Sequence, residues 1–316
     1  MNVLSTAKLP EYLKDELVHT YPSLEFSFKK SMEEALPHLD HAEILLTYGE
    51  DLNEDLIDQA KALKWIMVLS AGMDEMPFQR IKERNILVTN SRGIHQIPMA
   101  EYAISMLLQV SRQAKTLLEN QNNHVWDRRV PMTEISGSTM TIVGSGAIGQ
   151  ELARLAKAFR MKTIGVSRSG QAKEYFDVVY PSSQIEKALP EADFVVSILP
   201  STEETHSFYK KEHFQVMKDS AVFLNMGRGD VVKSEVLLEA LNNEEMAHAI
   251  LDVTDPEPLP KEHSLWDHKN VTITPHLSGQ SVHYLPRAID IFKTNLDVYL
   301  HGKDTYENKI DLDKGY

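Results

Sequence analysis

The chain contains no cysteine among its 316 residues. That excludes disulfides, thiolate zinc sites, iron–sulfur clusters and a cysteine nucleophile together. Long apolar runs are missing too. None approaches the roughly 18 residues that cross a bilayer, and the first ten residues are too poor in apolar length to read as a leader. Positive charge is in deficit, with 33 Lys and Arg against 46 Asp and Glu and a formal net charge of -13. Nucleic acids and membrane surfaces are polyanions, so neither is an expected partner. An anionic small molecule would need a locally basic pocket to overcome the overall field. A cytoplasmic protein is the simplest expectation. With 42% hydrophobic and 25% charged residues the chain can bury a sizeable core, and its length suggests two domains.

The dominant pattern is an alternation. Segments 3–5, 24–28, 43–47, 65–69 and 86–89 read as strands, with helices at 12–19, 32–36, 55–60 and 78–83 between them. Such βαβα order implies a mostly parallel sheet covered on both faces. A long helix is predicted over 98–118, where Pro98 suits a first turn and Ala100, Ala103, Ile104, Leu107, Leu108 and Ser111 recur at helical spacing. After a polar break at 119–129, strands are predicted at 139–143, 162–166, 194–198, 221–225, 247–251 and 271–274. Six strands with intervening helices match a doubly wound dinucleotide domain. A last helix, about 284–300, follows the completed set and is expected to return to the first domain. The expected class is α/β with two doubly wound domains, and no internal repeat or low-complexity tract interrupts it.

The run Val143-Gly144-Ser145-Gly146-Ala147-Ile148-Gly149 is a G-x-G-x-x-G. By itself the pattern is of low specificity, but here a strand precedes it and a helix follows. Gly144 would make the tight turn, Gly146 would let the backbone approach a pyrophosphate, and Gly149 would let helix and strand pack closely. The helix N-terminus then offers N–H groups to the anion. About 20 residues on, an acid would bind the ribose 2′-hydroxyl of NAD. The chain reads Ser167-Arg168-Ser169 instead. A guanidinium and two hydroxyls suit a 2′-phosphate, so NADP is the preferred cofactor and NAD the alternative. The plainer reading of Arg168 is a solvated loop cation.

Three later strands end in ionisable segments: Asn225-Met226-Gly227-Arg228-Gly229, then Leu251-Asp252-Val253 running on to Glu257-Pro258-Leu259, then Thr274-Pro275-His276-Leu277-Ser278-Gly279. Ligands of open α/β sheets bind outside the carboxyl ends of the strands. The residue types suit hydride transfer to a 2-oxo acid. The carbonyl becomes an alkoxide and needs a proton, which His276 can supply. Glu257 can hold the imidazole and favour its charged form. Arg228 can grip the substrate carboxylate and polarise the carbonyl. Asp252 can accept from the nicotinamide carboxamide. Taken singly, each has a bland alternative: a structural histidine, a loop-bracing arginine, an exposed glutamate, a turn-capping aspartate.

In that order the segments resemble the D-isomer-specific 2-hydroxyacid dehydrogenase family. The resemblance extends to Ser70-Ala71-Gly72-Met73-Asp74, Asn90-Ser91-Arg92-Gly93 and Ala100-Glu101. It implies that Arg228, Glu257 and His276 form the catalytic trio and that Ala71 and Gly72 bind the substrate carboxylate through backbone amides. The cofactor contacts it implies are Gly144, Gly146, Ala147, Ile148, Gly149, Ser167, Arg168, Ser169, Leu199, Pro200, Met226, Asp252 and Gly279. It further implies a flavodoxin-like substrate domain, 1–98 with 281–316, around a Rossmann domain at 99–280. A homodimer joined through the cofactor domain, with the helix near Pro98 contributing, is also implied.

The departures narrow the expectation. The missing acid resembles NADPH-linked glyoxylate and hydroxypyruvate reductases, and no C-terminal regulatory domain is expected. Phosphoglycerate-specific members tend to carry arginine in the loop after the third strand. Here that loop reads Thr47-Tyr48-Gly49-Glu50-Asp51, which would repel a dianion and leaves Tyr48 to line a pocket for a small side chain. The expected reaction is reduction of a small 2-oxo acid to the D-2-hydroxy acid. The alternatives are a phosphoglycerate dehydrogenase and a non-enzymatic dinucleotide-sensing regulator of the same fold.

Overall fold

The computed structural model of the chain describes residues 1–70, 73 and 76–312. Two compact units divide it, one of residues 1–94 with 281–316 and one of residues 95–280. Among the described residues no helix is long and apolar enough to cross a membrane.

The first unit is built on β1 (Asn2–Ser5), β2 (Glu25–Phe28), β3 (Ile44–Thr47), β4 (Trp65–Val68) and β5 (Leu87–Asn90). All pair in parallel in the order β2-β1-β3-β4-β5. β3 and β4 are buried along their whole length, which is why they read as unbroken apolar runs rather than alternating ones. Successive side chains serve opposite faces. Leu45 and Ile66 join the core on one face, while Ile44, Leu46, Trp65 and Met67 join the core on the other. The second face is closed by the helix Tyr284–Leu300, which buries Ala288, Ile289, Phe292 and Leu296 there. Trp65 stacks on Phe292 at 5.3 Å between ring centroids and donates its indole N–H to Thr89 Oγ1 at 2.9 Å.

The second unit carries β6 (Thr139–Val143), β7 (Lys162–Ser167), β8 (Val178–Pro181), β9 (Phe194–Ser197), β10 (Val222–Asn225), β11 (His248–Leu251) and β12 (Val271–Ile273). They form one parallel sheet in the order β12-β11-β10-β9-β6-β7-β8. The chain winds outward from β6 through β8, returns to β9 beside β6, and winds the other way. The carboxyl ends of β6 and β9 therefore mark the switch point, where such sheets open a crevice. On one face the helices Gln96–Ser111 and Ala147–Ala158 bury Ala100, Ala103, Leu107, Leu152 and Ala156 against Ile142, Val196 and Leu224.

Two expectations are corrected. The sheet has seven strands, not six. Val178–Pro181 was missed because it is a short edge strand, half-buried throughout and ending in proline, a residue tolerated only at such margins. The single helix expected over 98–118 is two, Gln96–Ser111 and Ala114–Asn122. Gln113 lies between them with φ +54°, the left-handed conformation that ends a helix. The second helix buries no residue, so no core contact holds it in line with the first. It also extends into the stretch read as a polar break.

Candidate functional site

β6 ends at Val143 and the chain turns at Gly144, whose φ of +111° L side chains avoid. The Gly144 N–H donates to the Val166 carbonyl at 2.9 Å, tying the turn to β7. At Gly149 a Cβ would stand 2.2 Å from the Gly144 carbonyl oxygen, so helix and turn meet at a distance that only glycine permits. Gly146 is the opposite case, since a Cβ there would meet nothing within 4 Å. Gly146 is also the N-cap of Ala147–Ala158, and no side chain among the described residues caps that helix. The N–H groups of Ala147, Ile148 and Gly149 are thus left to an outside acceptor. Ser145 Oγ is buried beside them with no partner among the described residues. Open space over Gly146, uncapped donors and an orphaned hydroxyl fit the pyrophosphate of a dinucleotide.

At the end of β7, Ser167 Oγ accepts from Gly170 N at 3.2 Å and Ser169 Oγ from Gln171 N at 3.4 Å. Arg168 is 77% exposed, with Nη1 3.8 Å from Glu204 Oε2, itself 73% exposed. A pair this open to water is weak. Glu204 was not anticipated. It is brought here by the turn after Leu199-Pro200, which Thr205 closes by donating to the Pro200 carbonyl at 2.6 Å. Nothing in the local sequence of Glu204 signals its position beside Arg168.

The loop after β10 is braced by Asn225, whose Nδ2 donates to the Arg228 carbonyl at 2.9 Å and whose Oδ1 accepts from Gly227 N at 3.2 Å. Met226 is buried beneath it and Arg228 is exposed, with Nη1 donating to the Gly227 carbonyl at 2.9 Å. Glu257 and His276 meet: Oε1 and Nδ1 are 2.7 Å apart, with both side chains more than 40% exposed.

Asp252 is buried, and its carboxylate is engaged within the chain. Oδ1 accepts from Thr274 Oγ1 at 2.6 Å and Leu277 N at 3.0 Å, and Oδ2 accepts from Ser278 N at 2.9 Å. Its carbonyl accepts from His276 N at 2.8 Å. Asp252 thus braces the loop that carries His276. Sequence reasoning missed its partners, and it missed His95. The His95 Nδ1 lies 3.3 Å from the Gly279 carbonyl oxygen. Burial first, and then the charges of Arg228 and His276, lower the pKa of that imidazole. The hydrogen bond to Gly279 opposes them.

In the other unit Tyr48 is half-buried, which raises its phenol pKa, and its carbonyl accepts from Ser70 Oγ at 3.1 Å. Tyr284 shares its surroundings; burial, with Tyr48 and Glu50 adding, pushes that phenol up to about 12. Ala71 and Gly72, the expected carboxylate-binding amides, lie outside the described residues.

Residues 104–278 match the model of the D-isomer specific 2-hydroxyacid dehydrogenase NAD binding domain. The chain is 37% identical over 245 residues to a glyoxylate reductase/hydroxypyruvate reductase of Mus musculus, covering 75% of this chain and 74% of that one. It is 31% identical over 291 residues to glyoxylate/hydroxypyruvate reductase B of Escherichia fergusonii, covering 89% of each. Among solved structures, a D-isomer specific 2-hydroxyacid dehydrogenase family protein from Aeromonas salmonicida superposes with a TM-score of 0.88 at 33% identity, covering 98% of this chain and 99% of that one.

Proposed function

The chain belongs to the D-isomer specific 2-hydroxyacid dehydrogenase family, and from that premise we propose that it reduces a small 2-oxo acid, of the glyoxylate or hydroxypyruvate kind, to the D-2-hydroxy acid. NADPH is the preferred reductant and NADH the lesser one. The observation that carries the reading is the 2.7 Å pair of Glu257 and His276, with Arg228 presented on an exposed, braced loop of the same unit.

A nicotinamide dinucleotide supplies the hydride when bound. Gly146, Ala147, Ile148 and Gly149 would hold its pyrophosphate on the turn that Gly144 makes, and Ser167, Arg168 and Ser169 would hold its 2′-phosphate. Leu199, Pro200 and Gly279 would line its path, with the buried Met226 beneath the loop that borders it. His276 directs Nδ1 at Glu257, which leaves Nε2 to carry the proton that the reduced carbonyl oxygen needs. Glu257 orients the ring through its bond to Nδ1. Arg228 uses one donor on the Gly227 carbonyl and keeps the rest of its fork for a carboxylate. Asp252 serves by holding the His276 loop in place.

The substrate class is supported by the names of the relatives. Glu50, exposed beside Tyr48 with Asp51 next in the chain, sets a negative field unfavourable to a phosphorylated substrate. A homodimer is part of the proposal. Leu118, Val125 and Trp126 leave 60%, 50% and 92% of their surface exposed on one stretch of the second unit, a cluster suited to a partner. Light scattering should give a dimer mass, and Trp126→Ala should weaken it.

The deciding experiment is a steady-state screen of 2-oxo acids with NADPH and NADH in parallel. Turnover of glyoxylate or hydroxypyruvate, with the higher kcat/KM for NADPH, is expected. A protein that binds NADPH yet turns over none of the panel would sink the reading.

A further inference from the structure

One helix holds the His276 loop at both ends. Tyr102, on Gln96–Ser111, meets Thr274 at 2.5 Å between hydroxyl oxygens. His95, the N-cap of the same helix, meets the Gly279 carbonyl at 3.3 Å. The two lie seven positions apart, which places them on one helical face. Thr274 and Gly279 bracket His276, and Asp252 holds the middle of the loop at Leu277 N and Ser278 N.

The donors along this path are determined by chemistry. A carboxylate only accepts, so the single Thr274 hydroxyl proton goes to Asp252 Oδ1 at 2.6 Å. Tyr102 must then be the donor to Thr274. Burial raises the Tyr102 phenol pKa well above its ordinary value, which keeps that proton in place. His95, its pKa lowered chiefly by burial, is neutral at pH 7, and a carbonyl acceptor places its proton on Nδ1. The loop needs such holding. His276 has φ +49°, a conformation that a non-glycine residue keeps only where its surroundings over-determine it.

We propose that Tyr102 and His95 are positioning residues for His276: through Thr274 and Gly279 they fix the loop that presents the imidazole to the substrate. The inference rests on the functional reading above and adds two residues that touch neither substrate nor reacting atoms. Loss of Tyr102 should lower kcat and leave cofactor affinity alone, because misplacing a catalytic group slows the chemistry; loss of His95, which meets the cofactor-lining Gly279, is read on kcat.

The test uses Tyr102→Phe, Thr274→Val and Thr274→Ser. Tyr102→Phe and Thr274→Val should each lower kcat about ten- to a hundredfold with the Kd for NADPH unchanged. The double variant should be no slower than the worse single one. Thr274→Ser, which keeps the hydroxyl, should stay near wild type. In a His276→Asn background Tyr102→Phe should cost nothing further. A wild-type kcat in Tyr102→Phe, or the same loss in the His276→Asn background, overturns the proposal. His95→Gln, which keeps a donor near Gly279, should retain a kcat that His95→Leu loses; equal loss in both removes His95 from it. If no 2-oxo acid is turned over at all, the functional reading fails separately. The positioning is then judged by the imidazole proton resonance of His276, assigned by its absence in His276→Asn. Tyr102→Phe should shift or broaden it and Thr274→Ser should not; an unmoved resonance in Tyr102→Phe refutes the positioning.

Discussion

His276 Nδ1 stands 2.7 Å from Glu257 Oε1, across 19 positions of chain, with both side chains open to water. Solvent screens the Coulombic part of an exposed pair, so its main contribution is orientation: one ring nitrogen is tied back and the other faces outward. Glu257→Gln keeps the size but replaces a carboxylate oxygen with an amide nitrogen that can turn a donor toward Nδ1, so the ring loses its fixed orientation. It should lower kcat by about ten- to a hundredfold, and His276→Asn by about 10²- to 10⁴-fold. Quenching of protein fluorescence by NADPH should give near wild-type Kd values for both. A His276→Asn enzyme with normal turnover would remove the residue from the chemistry.

The choice between cofactors should turn on Arg168. Arg168→Ala is expected to lower the ratio of kcat/KM for NADPH over NADH by about tenfold or more, the worth of a charge-assisted contact to phosphate. Glu204, 3.8 Å from that guanidinium, opposes a second negative group beside it. Glu204→Gln should improve NADPH use a few-fold, with the gain shrinking as salt rises. A ratio indifferent to Arg168→Ala contradicts the assignment.

Gly146 and Gly149 should fail in different ways. A Cβ at Gly149 would overlap the Gly144 carbonyl, so Gly149→Ala forces helix and turn apart and should cost about 1–3 kcal/mol of stability. Gly146→Ala has open space and should leave the melting temperature unchanged while raising the Kd for NADPH, because the methyl takes room the pyrophosphate needs. Melting curves with and without NADPH separate the two effects.

His248 couples stability to pH. It sits at the start of β11 with Nε2 2.9 Å from Thr272 Oγ1, and burial, helped by Lys115 and His268, pushes its pKa down to about 4. The folded ring stays neutral, while the unfolded ring takes a proton near pH 6.5. Between those values the unfolded chain binds more protons, so stability from this group falls as pH drops from about 6.5 to about 4, by at most about 3 kcal/mol. Urea titrations at pH 7 and pH 4.5 should show a smaller difference for His248→Gln than for wild type. Equal differences would mean that His248 titrates normally in the fold.

The alternation of strands and helices, the glycine spacing and the succession of Arg228, Glu257 and His276 after strand ends were all legible in the sequence. Each is a local pattern: a strand or turn declares itself through residues next to it in the chain, and a parallel sheet then brings strand ends to one edge. Val178–Pro181 escaped because an edge strand needs only partial burial and leaves a faint apolar signal.

What the tertiary structure alone decided is which group holds which. Asp252 was legible as an acid at a strand end, but its engagement with Thr274, Leu277 and Ser278 was not. Tyr102 carries no local signal of a partner, and only the fold brings it 2.5 Å from Thr274, 172 positions away. Glu257 and His276 could be named from the chain, and their 2.7 Å pairing depends on two loops converging in space. A hydrogen bond is specified by distance and direction between atoms, and sequence separation carries neither.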